Sequence, residues 1–462
     1  DDHESHVLIG AYHSMDDGTE LTIQLSLNDM NVIKRKQIAV DAGSSFLVFN
    51  NNALLDMFGN QVQSRVNGVN ALQVTAYTAD TTQPVLQAFD LDMDAETMTL
   101  SFSETVRASS LDVTGLTLHT SASGANPSFT LTTLSSTSSN NSHVLVVNLH
   151  TTDLNEIKRL TPLATSTTTS FMSVRLGCIA DMAATPNPVV AISATAPKSV
   201  QGFIADTTKP VLVAFDLDLT AELLTMVFSE TVRASTFAAT GITIQSTGAS
   251  AATSYTLTSS SVTSSSDGTT IVARLHISNL NTLKFIRGLA TQSSDTFLSI
   301  TSATIRDMAG NNVVPIATSS AAPVRTYQRD ATSPTLVSFS LSMNGNGLLT
   351  FTFDETVMAS TLNPLALTLQ DSATAAHSYT LTGGAFSVLA ADDSVTLSLV
   401  PTKTDLDNLK DFFPNLVSRS NNTYVTFTNS FVQDMSGNNV VAIADGSAHA
   451  VNVFTPDTTP LQ

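Results

Sequence analysis

The chain has little charge, almost no cysteine and no tryptophan. Of its 462 residues only 13% are charged, and Cys178 is the single cysteine. One cysteine excludes an intrachain disulfide framework. The lack of Trp, with aromatic residues at 6%, weakens the case for a stacking surface that grips bases or sugars. No apolar run approaches the roughly 18 residues that a membrane span needs, so we expect no such span.

The charge that is present is acidic. Twenty Lys and Arg residues stand against 39 Asp and Glu, which gives a formal net charge of −19. Nucleic-acid binding selects a basic face, so this balance argues against a nucleic-acid partner. The acidic surface would allow divalent cations. Apolar residues make up 42% of the chain, enough for ordinary cores in three or four domains.

The sequence repeats itself with a period of about 125 residues. An opening segment reads ADTTQPVLQAFDLD from Ala79, ADTTKPVLVAFDLD from Ala205 and DATSPTLVSFSLS from Asp330. A strand-like FSETV or FDETV segment follows each opener and carries Glu104, Glu230 and Glu355. Two further signatures occur four times: a short helical segment at Asp29, Asp153, Asn279 and Asp405, and a turn that begins DM at Asp56, Asp181, Asp307 and Asp434. A period of this length indicates tandem domains.

These signatures predict the domain boundaries. Complete repeats cover 80–205, 206–329 and 330–456, and residues 457–462 begin a further opener. Residues 1–79 match only the later part of a repeat and lack a counterpart of residues 80–124. We therefore expect 1–79 to be completed by residues outside this sequence or by another chain.

Apolar residues alternate with polar ones through most of each repeat, as half-buried strands require. One example is the run Leu145, Val147 and Leu149. The helical segment DLNEIKRL at 153–160 is short, with Asp153 at a capping position, so it predicts a connector and not a helix layer. Many short strands separated by turns predict an all-β fold of antiparallel β-sandwiches.

The repeated glutamate lies on the apolar side of its predicted strand. Met98, Leu100 and Phe102 share the face of Glu104, and the same parity holds for Glu230 and Glu355. A buried acid needs partners. In one interpretation it accepts hydrogen bonds from backbone N–H groups of a neighbouring loop. In the other it joins the opener Asp and the DM-turn oxygens around Ca²⁺. The candidate ligands are Asp80, Glu104, Asp206, Glu230, Asp307, Asn311, Asp330, Glu355, Asp434 and Asn438.

Few other segments carry chemistry. Asn140 and Asn421 lie in N-glycosylation sequons, and loops rich in Ser and Thr suit O-linked glycans. The chain has no Gly-rich phosphate loop, no HExxH and no CxxC, so we expect neither an enzyme nor a bound cofactor other than calcium.

The segments ADTTKPVLVAFDLDL and LTMVFSETVRAST, followed by RDMAGNN, resemble the tandem Ig-like repeats of mastigoneme proteins, the flagellar hairs of algae and protists. Sexually induced surface proteins of diatoms are similar, and Ig-like modules of bacterial S-layer proteins and adhesins resemble the pattern more distantly. The DMAAT turn at 181–185 departs from it, because it lacks Gly-Asn.

This resemblance implies tandem Ig-like sandwiches in an extracellular, glycosylated structural subunit at the cell or flagellar surface. It also implies self-assembly into a filament, head to tail or helically. The alternative is a cell-surface adhesin whose sandwiches are spacers for a binding tip elsewhere.

Overall fold

The computed structural model describes residues 4–13, 16–249, 251, 253–386 and 393–458. The chain forms two compact units. Asp1–Thr208 with Met308–Asn311 make the first, and Lys209–Asp307 with Asn312–Gln462 make the second. The first unit holds the first repeat (1–79) and the second repeat (80–205). The second unit holds most of the third repeat (206–329) and the whole fourth repeat (330–456).

The first repeat contains two small antiparallel sheets and one helix. Strand β1 (Tyr12–His13) pairs with β2 (Ile23–Gln24), and β3 (Phe46–Leu47) pairs with β4 (Leu72–Gln73). Helix α1 (Leu27–Arg35) lies between these two pairs in sequence.

The second repeat is a sandwich of two sheets with one helix. Its strands are β5 (Leu86–Asp92), β6 (Thr97–Val106), β7 (Leu116–His119), β8 (Ser128–Thr130), β9 (Ser136–Thr137), β10 (Ser142–Asn148), β11 (Phe171–Val174), β12 (Lys198–Ser199) and β13 (Gly202–Ile204), and its helix is α2 (Thr151–Arg159). One sheet has the order β13-β5-β6-β10-β9, and the other β12-β11-β7-β8.

The third repeat follows the same plan. It comprises β14 (Leu212–Asp218), β15 (Leu223–Arg233), β16 (Ile242–Gln245), β17 (Ser254–Thr256), β18 (Val262–Thr263), β19 (Gly268–Arg274), α3 (Ile277–Phe285), β20 (Phe297–Ile300), β21 (Arg306–Asp307), β22 (Ala322–Pro323) and β23 (Thr326–Gln328). Its sheets have the orders β18-β19-β15-β14-β23, with β21 also on β15, and β17-β16-β20-β22.

The fourth repeat closes the series. It comprises β24 (Leu336–Ser342), β25 (Leu348–Val357), β26 (Leu367–Gln370), β27 (Ser378–Thr380), β28 (Gly384–Phe386), β29 (Ser394–Pro401), α4 (Lys403–Asp411), β30 (Tyr424–Phe427), β31 (His449–Ala450) and β32 (Val453–Thr455). Its sheets have the orders β28-β29-β25-β24-β32 and β27-β26-β30-β31. The all-β prediction with one short helix per repeat is confirmed.

One strand per complete repeat departs from the antiparallel prediction. The last strand lies parallel to the first strand of its own repeat: β13 on β5, β23 on β14 and β32 on β24. The residue opposite the middle of the first strand is Gly202 in β13, Thr326 in β23 and Val453 in β32, so the pairing does not depend on a glycine. Because the first and last strands of a repeat are parallel, the chain enters the repeat at one end of this strand pair and leaves the repeat at the opposite end.

Each complete repeat has its own apolar core. The alternating residues fill it: Met98 and Leu100 of β6, and Leu145 and Val147 of β10, are fully buried. Separate clusters of the same kind fill the third and fourth repeats. Among the described residues, no Ala, Val, Leu, Ile, Met or Phe side chain before Leu86 is buried. The first repeat therefore has helix and strands without a closed core.

The helix begins differently from the prediction. The cap of α2 is His150, whose ring nitrogen accepts the Thr152 N–H, and Asp153 lies inside the first turn. Asp153 is fully buried and accepts hydrogen bonds from the N–H and hydroxyl of Thr132 and from the Ser135 hydroxyl. It fixes the helix to its own repeat. No described helix combines the length and apolarity that crossing a membrane requires.

Candidate functional site

The helices present an asparagine and a lysine toward the repeat that follows. In α1 these residues are Asn31 and Lys34, and in α3 they are Asn281 and Lys284. Residues three apart lie on the same face of a helix, so each pair can contact one surface. That surface is the end of the strand that carries the repeated glutamate. Two such contacts lie within single units, and we call them the upstream and downstream junctions.

At the upstream junction the Lys34 ammonium group lies among carboxylates of the second repeat. Lys34 Nζ donates to Glu104 Oε2 and lies 2.7 Å from Asp80 Oδ2. Asp181, at the start of the DM turn, places a carboxylate oxygen within 4.8 Å of the other two acids. One lysine of the first repeat thus faces three acids of the second.

The downstream junction repeats this arrangement with greater burial. Lys284 Nζ lies 2.6 Å from Asp330 Oδ2 and 2.6 Å from Glu355 Oε2. Asp434 is the third carboxylate, within the same 4.8 Å limit. The Asp330 side chain is fully buried, against 24% exposed for Asp80 upstream.

An amide contact accompanies each ion cluster. Upstream, the Thr105 N–H donates to Asn31 Oδ1 at 2.8 Å, and the Thr105 hydroxyl donates to the Asn31 carbonyl at 2.9 Å. Downstream, the Thr356 N–H and hydroxyl donate to the same two atoms of Asn281, each at 3.1 Å. The threonine follows the glutamate directly in sequence. Each junction therefore combines a neutral two-bond contact with a charged one.

The DM turn holds the third carboxylate in place. The Asn438 N–H donates to Asp434 Oδ1, and its side-chain amide donates to Asp434 Oδ2 and to the Asp330 carbonyl. In the DMAAT turn, which lacks Gly-Asn, Asn187 makes the corresponding bonds to Asp181 and to the Asp80 carbonyl. Asn438 thus uses its backbone and side-chain N–H groups to fix the turn. Asn311 likewise donates to the Asp206 carbonyl.

Burial and the neighbouring charges shift the pKa values of the glutamates and of the lysine at the junctions. It raises the pKa of Glu355 to about 7; Lys284 opposes the rise, while Asp330 and Asp434 add to it. Burial also raises the pKa of Glu104, again against Lys34. For Lys284, burial favours the neutral amine, but Glu355 and Asp330 outweigh it and hold its pKa above the usual value. The lysine is therefore charged.

At the downstream junction a lysine lies among the acids that were predicted as calcium ligands. Calcium takes six to eight oxygen ligands. At the downstream junction, Lys284 Nζ already occupies the space between two of the three acids. The candidate ligand Asn438 directs its amide N–H groups at Asp434 and Asp330. An ion would have to displace the lysine.

The middle candidates lie in different units and are described singly. Asp206 of the first unit is buried and forms a 2.7 Å ion pair with Lys158 of α2. Glu230 and Asp307 of the second unit are also buried. Glu230 holds the same place near the end of β15 as Glu104 in β6. The predicted parity of the glutamates is confirmed, since Glu104, Glu230 and Glu355 are all at most 7% exposed.

The partner of the glutamate differs from the expectation. It is a lysine ammonium group from the preceding repeat where backbone N–H groups of a loop were expected. The sequence carries a signal that could have found it: Lys34, Lys158, Lys284 and Lys410 recur at one position of the four helices. In the last helix Lys410 lies 2.6 Å from Asp457 of the following opener. Residues 459–462 of that opener lie outside the described residues.

Both predicted glycosylation positions are on the surface. The side chains of Asn140 and Asn421 are exposed, so a glycan could extend from either without entering a core. Asn140 lines a shallow surface depression together with Arg35 and Val144. No catalytic constellation was expected from the sequence, and the junction acids are engaged by lysine.

Comparisons with known proteins give structural likeness alone. No protein-family model matches the chain, and no curated protein matches it in sequence. Among solved structures, the FN1–FN3 domains of chicken CNTN1 match at 9% identity and a TM-score of 0.22, covering 80% of this chain and 98% of that chain. The S-layer protein rSbsC(31-844) matches at 10% and 0.17, covering 80% and 54%. The N-terminal eight Ig domains of DSCAM match at 10% and 0.16, covering 88% and 43%. Such scores assign no function, and the resemblance to flagellar-hair proteins has no sequence match behind it.

Proposed function

We propose that this protein is an extracellular structural subunit whose Ig-like repeats are fixed end to end and assemble into a filament, as in flagellar hairs. One observation supports the proposal. At both junctions an Asn and a Lys at equivalent helix positions contact a Thr and acids at equivalent positions of the next repeat. A spacer that only had to be long would not need a buried charge cluster between repeats, because flexible linkers provide reach without one. A subunit of a regular filament does need a fixed angle at each junction.

The acids favour a lysine-based, metal-free junction. Each lysine provides a positive charge that cannot dissociate into solvent, so the angle between repeats would not depend on the calcium concentration. A melting experiment on the purified chain with and without EDTA tests this. We expect the same melting temperature in both samples, and a clear fall with EDTA would favour the calcium hypothesis instead.

The surface properties suit a protein exposed outside the cell. The polar surface is built largely from Ser, Thr and Asn, with few charges, and the two sequons are accessible. Glycans at Asn140 and Asn421 would extend that uncharged surface. Mass measurement before and after enzymatic removal of N-glycans from the native protein tests this point.

Electron microscopy of native material tests assembly directly. Regular fibres with a constant axial repeat would support a filament subunit. Beaded chains that bend freely, without lateral or end-to-end order, would contradict it and favour the adhesin spacer. A chain with Lys284→Met serves as a comparison in the recombinant protein, because it weakens one junction and leaves the repeats themselves intact.

A further inference from the structure

The downstream junction brings an amine and a carboxyl group together away from water. Lys284 Nζ lies 2.6 Å from Asp330 Oδ2, and the two side chains are 7% and 0% exposed. Leu219, Leu283 and Leu289 line one depression together with Lys284. Apolar surroundings of this kind disfavour two separate charges, because each charge has lost its water. A neutral product of the two groups would therefore be favoured over the ion pair.

The two oxygens of the Asp330 carboxyl group have different surroundings. Oδ1 accepts a hydrogen bond from the Thr332 N–H at 3.0 Å. Oδ2 is buried and accepts no hydrogen bond from the described residues, since Lys284 Nζ is close to it but outside hydrogen-bonding geometry. A backbone N–H stabilises the negative charge that develops on an oxygen when a nucleophile attacks the carboxyl carbon. Oδ1 thus suits the carbonyl oxygen of an amide, and Oδ2 suits the oxygen that leaves as water.

Glu355 is placed to carry the protons of such a reaction. Lys284 Nζ donates a hydrogen bond to Glu355 Oε2 at 2.6 Å. Burial raises the pKa of Glu355 to about 7, so this carboxylate accepts a proton more readily than an exposed one does. A lysine is a nucleophile only as the neutral amine. Transfer of one proton from Nζ to Oε2 produces that amine directly beside the Asp330 carboxyl group.

We infer that Lys284 and Asp330 condense into an amide bond that joins the third repeat to the fourth. Lys284 Nζ attacks Asp330 Cγ and forms the C–N bond, while the bond between Cγ and Oδ2 breaks. Oδ2 leaves as water with two of the three ammonium protons, one of them carried by Glu355, which ends the reaction as a carboxylate. One ammonium and one carboxylate charge disappear, and no other reactant is consumed. Because the groups are held in contact, the reaction needs no encounter step.

The same pair of groups occurs twice more in the chain. Lys34 Nζ lies 2.7 Å from Asp80 Oδ2, and Lys158 Nζ lies 2.7 Å from Asp206 Oδ2. In both aspartates Oδ1 accepts the N–H of the residue two positions later, and Oδ2 accepts no hydrogen bond from the described residues. The arrangement is thus a regular part of the repeat. The inference depends on the junction geometry alone, so it would stand even if the chain did not assemble into a filament.

Denaturing electrophoresis of a cleaved full chain tests the inference. A protease site inserted between the exposed residues Ser319 and Ser320 divides the chain into 1–319, which carries Lys284, and 320–462, which carries Asp330. We expect the two pieces to migrate together after cleavage and boiling in detergent, because an amide bond survives denaturation. Complete digestion should then yield a branched peptide that contains Lys284 and Asp330, with the summed mass of its two parts less one water. Separation of the pieces would overturn the inference.

Variants identify the atoms that react. Lys284→Arg keeps the positive charge but removes the amine, so its two pieces should separate. Glu355→Gln keeps the size of the side chain but cannot accept a proton, so the joined fraction at a fixed time after refolding should fall by about tenfold or more. Lys403→Arg is the matched control, because Lys403 is 86% exposed and pairs with Asp407, and its pieces should stay joined.

Two results with these variants would contradict the assignment. If the pieces of Lys284→Arg stay joined, the linkage does not involve the Lys284 amine. If Glu355→Gln joins as fast as the natural chain, Glu355 does not carry the proton. The result for the natural chain decides whether the bond exists even where a variant folds poorly, because that chain contains no substitution at the junction.

Discussion

The upstream and downstream junctions use the same residues in different surroundings. Upstream, the Lys34 and Asp80 side chains are 17% and 24% exposed. Downstream, Lys284 and Asp330 are 7% and 0% exposed. The pKa of Glu355 rises to about 7, and burial is its main cause. Water can therefore solvate part of the upstream cluster, whereas downstream Lys284 faces acids that are closed to water. The two junctions thus share the same residue contacts, but the free energy of each contact depends on how deeply that junction is buried.

The largest effect should follow from removing the downstream lysine. Lys284→Met leaves three buried acids without a counter-charge, and breaking such a cluster costs on the order of 3–5 kcal/mol. Hydrogen exchange of the amides in 353–357, followed by mass spectrometry, should accelerate accordingly. Lys403→Met is the matched control, because Lys403 is 86% exposed and pairs only with Asp407. Unchanged exchange at 353–357 would show that the acids find another partner.

The asparagine–threonine hydrogen bonds should contribute about equally to stability at the two junctions, although the contributions of the lysine–acid contacts differ. Asn281→Ala and Asn31→Ala each remove the acceptor of a buried threonine N–H, which costs about 1–3 kcal/mol. Thr105 and Thr356 are 1% and 2% exposed, so we expect losses of similar size, measured by exchange at those two amides. Asn281→Asp keeps the acceptor and should cost less. If the free-energy losses of the two alanine variants differ twofold or more, then burial also determines the strength of the asparagine–threonine contact.

The upstream lysine should matter less than its downstream counterpart. Lys34→Met removes the same charge, but water can solvate Asp80, which is 24% exposed, so we expect a smaller loss of about 1–2 kcal/mol. Exchange of the amides in 102–106 measures it. If Lys34→Met costs as much as Lys284→Met, partial exposure does not explain the contrast between the junctions.

The last prediction concerns the pH dependence of the downstream junction. Glu355 has a folded-state pKa of about 7, above its usual 4.5, so the folded protein holds this proton more tightly than the unfolded chain does. Its contribution to stability therefore declines as pH rises from about 4.5 to about 7. Exchange rates at 353–357, corrected for intrinsic pH dependence, should reveal this decline. Glu355→Gln should remove it, and Glu104→Gln should change the upstream profile less. A Glu355→Gln variant that keeps the full decline would assign the titration to another group.

Much of the fold was predictable because strands reveal themselves by local alternation. Met98, Leu100 and Phe102 indicated the buried face of β6 and placed Glu104 on it. The parallel last strand was not predictable in the same way. The segment Gly202–Ile204 has three residues, too few for a period, and its place beside β5 depends on a contact more than 100 residues away in sequence.

The sequence predicted the acids of the site but not the lysine that pairs with them. Parity identified the buried acids, and the repeat aligned Asp80, Glu104 and Asp181 as a set. Their counter-charge comes from Lys34, 70 residues before Glu104 and in another repeat. A lysine in a helix looks like an ordinary solvated side chain unless its recurrence in all four helices is read together with the recurrence of the acids.

The sequence by itself determined the period, the alternating cores and the burial of the repeated glutamate, because each of these depends on spacing along the chain. Only the tertiary structure decided which cation meets Glu104 and Glu355, because that depends on how a helix of one repeat lies against a strand of the next. It also showed which apolar residues of the first repeat remain uncovered. Local pattern fixes which face of a strand a side chain takes, whereas the partner on that face comes from elsewhere in the chain.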